Sequence, residues 1–146
     1  MNVTIITNSL KFLMESTNYD DTAWNLFCLG GTFSPRTYSS VNTLTVDNLS
    51  YFRISKTFFS TYGIDEECII TDSHIEDIEI KRAALHAAKC TYLLADHSKM
   101  MRSGILSCGN ASDCTEIITD YKANSAFVHK LREHSCNVTI AASIVD

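Results

Sequence analysis

The chain has 146 residues, of which 45% are apolar and 20% charged. That is enough to bury one substantial core and short for two, so a single soluble domain over 1–146 is expected. A formal net charge of −5 and only twelve scattered Lys and Arg exclude a nucleic-acid surface, which needs clustered cations.

The first strand-like run is VTIIT at 3–7, closed by Thr7, Asn8 and Ser9, which lead into a predicted helix at 9–16. NLFCL at 25–29 reads as a second strand. The stretch GGTFSPRTYSS at 30–40 follows it, either a ligand loop or a long exposed connection. A helix is expected over 41–51, a strand at KTFFST 56–61, and a sharp turn at Gly63. The helix at 74–89 carries the clearest start signal, because Ser73 and Glu76 have capping-box spacing. Strands TYLLA at 91–95 and EIIT at 116–119, a helix at 121–135 and a strand NVTIAA at 137–142 complete the order. Short apolar runs bounded by turn signals and alternating with amphipathic stretches predict an α/β fold with βαβ crossovers and a mainly parallel sheet.

Open α/β sheets bind ligands at the carboxyl ends of their strands, and three such ends carry polar groups. Asn8 and Ser9 end the first strand, where they cap a helix whose first amides could also receive an anion. Asp96, His97, Ser98 and Lys99 end LLADHSK at 93–99. There Lys99 is placed to neutralise a phosphate, unless Asp96 and Ser98 only cap the next turn. At about 100° per residue, Asp77 and Lys81 fall on the same arc as Ile78, Ala84, Leu85 and Ala88. Two opposite charges on that arc are either pocket residues or a solvated i,i+4 pair.

No apolar stretch approaches the about 20 residues needed to cross a bilayer, and no basic leader opens the chain, so a cytoplasmic protein without membrane contact is expected. The six cysteines lack C-x-x-C or zinc-finger spacing and read as reduced, mostly buried thiols without a metal. No G-x-S-x-G, H-E-x-x-H, Walker or dinucleotide fingerprint is present, so no catalytic residue and no cofactor is assigned.

In this order and spacing, IITNSL, LGGTF at 29–33, FFSTYGID at 58–65, DIEIKRAAL at 77–85, LLADHSK and EIITD at 116–120 resemble the C-terminal sensor domain of the DeoR family of bacterial sugar-metabolism regulators. The resemblance implies a Rossmann-like three-layer domain with helices on both faces of the sheet, related to ribose-phosphate isomerases and CoA transferases. It implies a crevice lined by Asn8, Ser9, Gly30, Gly31, Gly63, Asp77, Lys81, Asp96 and Lys99 that binds a phosphorylated sugar, with Lys81 and Lys99 as phosphate or hydroxyl partners. A member of the family reaches DNA only through a winged helix-turn-helix, and is expected to form homo-oligomers. This chain is expected to be N-terminally truncated, without that helix-turn-helix, the first sensor strand and the Gly/Thr-rich phosphate loop. Asn42 stands where the family usually has Gly after its loop, and Asn tolerates similar backbone angles.

The leading expectation is therefore the effector-binding domain of a transcriptional repressor, and not an enzyme. Two alternatives from other classes are an isomerase-like enzyme using Asp77, Asp96 and Lys99 as acid–base groups, and a ligand-free remnant that acts by dimerising. Binding without turnover separates the first from the second, and binding of no sugar phosphate favours the third.

Overall fold

The computed structural model describes residues 3–19 and 24–143, arranged as two compact units, Met1–Phe52 and Arg53–Asp146.

In the first unit β1 (Val3–Thr7) and β2 (Trp24–Cys28) pair in parallel, with α1 (Leu10–Ser16) between them in sequence. Most of residues 30–40 form an antiparallel hairpin, β3 (Thr32–Ser34) with β4 (Ser39–Val41), rather than an irregular loop. α2 (Thr43–Leu49) follows at once. Asn42 opens it at φ 90° and accepts from Leu44 N–H at 3.0 Å. The side-chain amide thus both tolerates the left-handed backbone and caps the helix.

In the second unit β5 (Ile54–Phe59), β8 (Ala88–Leu94), β10 (Glu116–Thr119) and β11 (Val138–Ile140) form an all-parallel sheet of order β11-β10-β8-β5. This is the expected parallel α/β sheet, and the 116–119 run matches β10 residue for residue. Its register aligns Phe59, Leu93, Ile117 and Val138 in one row. α3 (Ile75–Ala87) and α4 (Ser125–Glu133) flank the sheet, and Ile78, Leu85, Phe127, Val128 and Leu131 share the core with that row. On the opposite face Phe58 stacks on Tyr92 with centroids 5.0 Å apart.

A three-stranded antiparallel sheet, β6 (Gly63–Ile64), β7 (Ile69–Asp72) and β9 (Leu106–Asn110), has no counterpart in the sequence expectation. Its strands are too short to show a period: β6 is two residues and β7 four. It contributes Ile64, Ile70 and Cys108 to the same core. Four of the six cysteines are buried. Burial pushes the thiols of Cys108 and Cys136 up to about 11 and that of Cys114 to about 12, which keeps them protonated packing groups.

The start of α3 corrects one expectation. Its N-cap is His74, and no side chain caps it. The expected Ser73–Glu76 box is absent because Asp72, buried at the end of β7, receives the N–H groups of Ser73 at 2.7 Å and His74 at 3.2 Å.

Leu93 is fully buried at the centre of the aligned row. Leu93→Ala should therefore lower stability by about 2–5 kcal/mol, read as a lower urea midpoint with an unchanged denaturant slope.

Candidate functional site

The nine expected crevice residues divide between the units: Asn8, Ser9, Gly30 and Gly31 in the first, and Gly63, Asp77, Lys81, Asp96 and Lys99 in the second.

In the first unit each has a local task. Asn8 donates from Nδ2 to the Ser40 carbonyl at 3.0 Å, while Ser40 N–H donates to the Asn8 carbonyl at 2.7 Å. Ser9 caps α1 by accepting from Phe12 N–H at 3.2 Å. The Leu10 and Lys11 N–H groups both donate to the Tyr38 carbonyl, so the first amides of this helix are occupied rather than open to an anion. Gly30 and Gly31 sit at φ 68° and 122°, and a Cβ on Gly31 would lie 2.1 Å from Thr45 Oγ1. Thr45 in turn donates to the Gly30 carbonyl at 2.7 Å. The glycines let this turn close onto α2.

In the second unit the carboxyl ends of all four parallel strands border one open cleft of about 390 Å³, lined by Ser60, Leu94, Ala95, Asp96, Ile118, Thr119, Asp120 and Ala141. This is the edge where parallel α/β sheets take ligands. Asp96 Oδ1 accepts from Ser98 N–H at 2.8 Å and caps the turn His97–Lys99. The Ser98 hydroxyl and N–H, with the Lys99 and His97 charges, hold the Asp96 carboxyl below its usual range against a smaller opposing effect of burial. Across the cleft Asp120 accepts from His97 N–H at 2.8 Å and from Lys122 N–H at 2.8 Å, and meets His97 Nδ1 at 2.9 Å. Led by the His97 N–H, these partners take Asp120 from 3.8 down to about 2, so it is a carboxylate throughout the neutral range. Beside it Thr119 Oγ1 is buried without a hydrogen-bond partner, an exception to the rule that buried polar groups are satisfied. Lys99 forms no ion pair among the described residues.

The other predicted residues of this unit gather at the junction of β7 and α3. Lys81 turns to Asp72, where its ammonium forms a close ion pair. Burial alone would raise the Asp72 carboxyl. The Lys81 hydrogen bond and charge, with the Ser73 and His74 N–H groups, outweigh that and hold it below its usual value of 3.8. Asp77 is itself buried in the first turn of α3. Arg82, next to Lys81, donates from Nε to the Ser107 carbonyl of β9 at 3.0 Å. Gly63 lies beneath the segment after Lys99: a Cβ there would be 2.1 Å from the Arg102 carbonyl oxygen.

Asp72, His74 and Asp77, and likewise Asp96, His97 and Asp120, each bring three potential metal ligands within 4.8 Å of one another. In both groups carboxylates are already engaged by N–H or ammonium donors, so we assign no metal. A larger cleft of about 700 Å³ lies at the amino ends of β10 and β11. It holds no predicted residue, and its one cation, Arg132, donates to the Val138 carbonyl at 3.0 Å.

Sequence reasoning missed Asp72, Thr119 and Asp120. All three sit in T-D dipeptides at strand ends, and a strand-end position is the signal that singled out Asp96. Removing the Lys81 ammonium strands a buried carboxylate with two N–H partners left. Lys81→Met should therefore destabilise the protein by about 2–3 kcal/mol at neutral pH. Because the folded Asp72 value is depressed, its contribution is complete above its ordinary value and lost as pH falls through the folded one. The gap between wild type and variant should narrow below about pH 4 in urea titrations run across the acid range.

Residues 1–121 match the model of the DeoR C terminal sensor domain. The chain is 30% identical over 140 residues to the HTH-type transcriptional regulator IolR of Bacillus subtilis, covering 96% of this chain and 55% of that protein. It is 24% identical over 133 residues to the glycerol-3-phosphate regulon repressor of Escherichia coli, covering 91% and 52%. With the lactose phosphotransferase system repressor of Staphylococcus epidermidis it shares 30% identity over 118 residues, covering 81% and 47%. The chain thus spans about half the length of the curated relatives it matches. These relatives are named as regulators and repressors, not as enzymes, and no described helix is long and apolar enough to cross a membrane. With residues 1–121 of its 146 matching that model, the chain belongs to the DeoR C-terminal sensor domain family.

Proposed function

We propose that this chain binds a phosphorylated sugar and is the effector-sensing part of a cytoplasmic DeoR-type repressor of sugar metabolism. The observation that carries the reading is the carboxyl-edge cleft of the second unit. There Asp96 and Asp120 are carboxylate acceptors suited to sugar hydroxyls, and the buried Thr119 hydroxyl lacks a partner. Lys99, one turn beyond Asp96 and outside any described ion pair, supplies the charge that a phosphate needs. One relative is named for glycerol 3-phosphate and another for a lactose phosphotransferase system, which supports a phosphorylated carbon compound. DNA contact and the repressor activity belong to the whole regulator. Self-association is part of the same reading, supported by β5 and β11 as edge strands of their sheet.

The test is thermal unfolding of the chain against phosphorylated sugars and their unphosphorylated counterparts. One phosphosugar should raise the melting point by about 5–10 °C at about a hundredfold excess over its Kd. The unphosphorylated sugar should give no shift, and the effect should be lost in Lys99→Ala. No shift with any phosphosugar would overturn the reading.

A further inference from the structure

Between Lys99 and β9 the chain runs as a strap, residues 100–104, pressed onto the antiparallel sheet. Met100 bridges to Ile64, Arg102 N–H donates to the Ile64 carbonyl at 3.0 Å, and Gly104 N–H donates to Thr71 Oγ1 at 2.8 Å. Two glycines permit the contact. A Cβ on Gly63 would lie 2.1 Å from the Arg102 carbonyl oxygen, and one on Gly104 would lie 2.3 Å from the Asp72 carbonyl oxygen. Met101, between the Met100 bridge and the Arg102 bond, takes φ 55°, a conformation that a non-glycine residue keeps only when its surroundings impose it. The backbone that carries Arg102 is therefore held at both ends.

Its side chain is held too. The guanidinium carbon sits 3.8 Å from the centroid of the Tyr62 ring. Stacked this way, a guanidinium keeps its in-plane N–H groups directed outward in a fixed fork that matches an oxyanion. Arg102 first, then the nearby Ser73 hydroxyl and the charge of Lys99, hold the Tyr62 hydroxyl below its usual value against a smaller opposing effect of burial. Two cations and two hydroxyls thus converge on one spot. Neither Arg102 nor Lys99 has a carboxylate in ion-pair reach among the described residues, and the buried Asp72 is taken by Lys81.

We propose that Arg102, stacked on Tyr62, forms with Lys99 and Ser73 an anion subsite for the phosphate of a small phosphomonoester. Arg102 supplies a bidentate fork, Lys99 a second charge, and the Tyr62 and Ser73 hydroxyls donate to the remaining oxygens. As a subsite of the effector site it rests on the phosphosugar reading above. Two cations in a chain of net charge −5 suit a single phosphate rather than a nucleic-acid backbone, whose binding grows with the number of phosphates neutralised.

The test titrates inorganic phosphate, and separately the phosphosugar panel, into the whole chain, followed by phosphorus NMR and thermal unfolding. The variants are Arg102→Ala, Arg102→Lys, Lys99→Ala and Tyr62→Phe, with exposed Lys89→Ala at the start of β8 as control. Circular dichroism and the urea midpoint establish that each is folded, and Arg102→Lys keeps the charge should Arg102→Ala fail to fold. Phosphate affinity is expected to fall about tenfold in Arg102→Ala and less in Arg102→Lys, with Lys89→Ala unchanged. A phosphosugar bound equally well by wild type and Arg102→Ala would sink the subsite and leave the phosphosugar reading standing. Phosphate binding lost in Arg102→Ala without any phosphosugar binding would do the reverse. No binding of either would overturn both.

Discussion

Asp72 is the group on which the second unit depends. It closes β7, is almost wholly buried, and its two carboxylate oxygens take the Ser73 and His74 N–H groups on one side and the Lys81 ammonium on the other. A buried carboxylate without such partners would be prohibitively costly, so the strand end, the start of α3 and the Lys81 rotamer are set together. Its carbonyl also faces Gly104, where no side chain larger than hydrogen fits. The strap that carries Arg102 therefore has a single course across β7.

That arrangement divides the positive charge of the site by role. Lys81, which the helix arc nominated together with Asp77, is consumed in holding the fold. Lys99 and Arg102 are kept outside described ion pairs by the capped turn His97–Lys99 and by the stack on Tyr62. A cation that neutralises a buried carboxylate has little left to offer a ligand. Cations fixed without a partner create a local potential that an anion relieves. Along the sheet edge the signs reverse, with Asp96 and Asp120 both held ionised by N–H donors. The proposed phosphosugar would place its hydroxyls at the acidic rim and its phosphate at Lys99 and Arg102.

In the first unit, residues with ligand-like chemistry serve the backbone. Asn8 ties β1 to the β3–β4 hairpin, Ser9 caps α1, and Gly31 makes room for Thr45. Polar side chains at strand ends have two ways to be satisfied, a ligand or a neighbouring main chain, and here the main chain is present in the fold.

Much of this was legible in the sequence because the signals are local. The runs at 3–7 and 116–119 match β1 and β10, and α1, α2, α3 and α4 fall within the helix stretches read from the pattern. Ordered motifs carried the family, and the alternation carried the parallel α/β class. The antiparallel sheet escaped because its strands are too short for a period and its pairing joins β7 to β9 across the whole of α3 and β8. Ser73 and Glu76 had the spacing of a capping box, but only tertiary burial of Asp72 decided which oxygen the Ser73 and His74 amides ahead of the helix would meet. Likewise Tyr62, Ser73, Lys99 and Arg102 are scattered over forty-odd positions of a chain in which nothing local relates them. They converge because two glycines let backbone touch backbone, and that contact is a property of the folded chain, not of any short stretch of it.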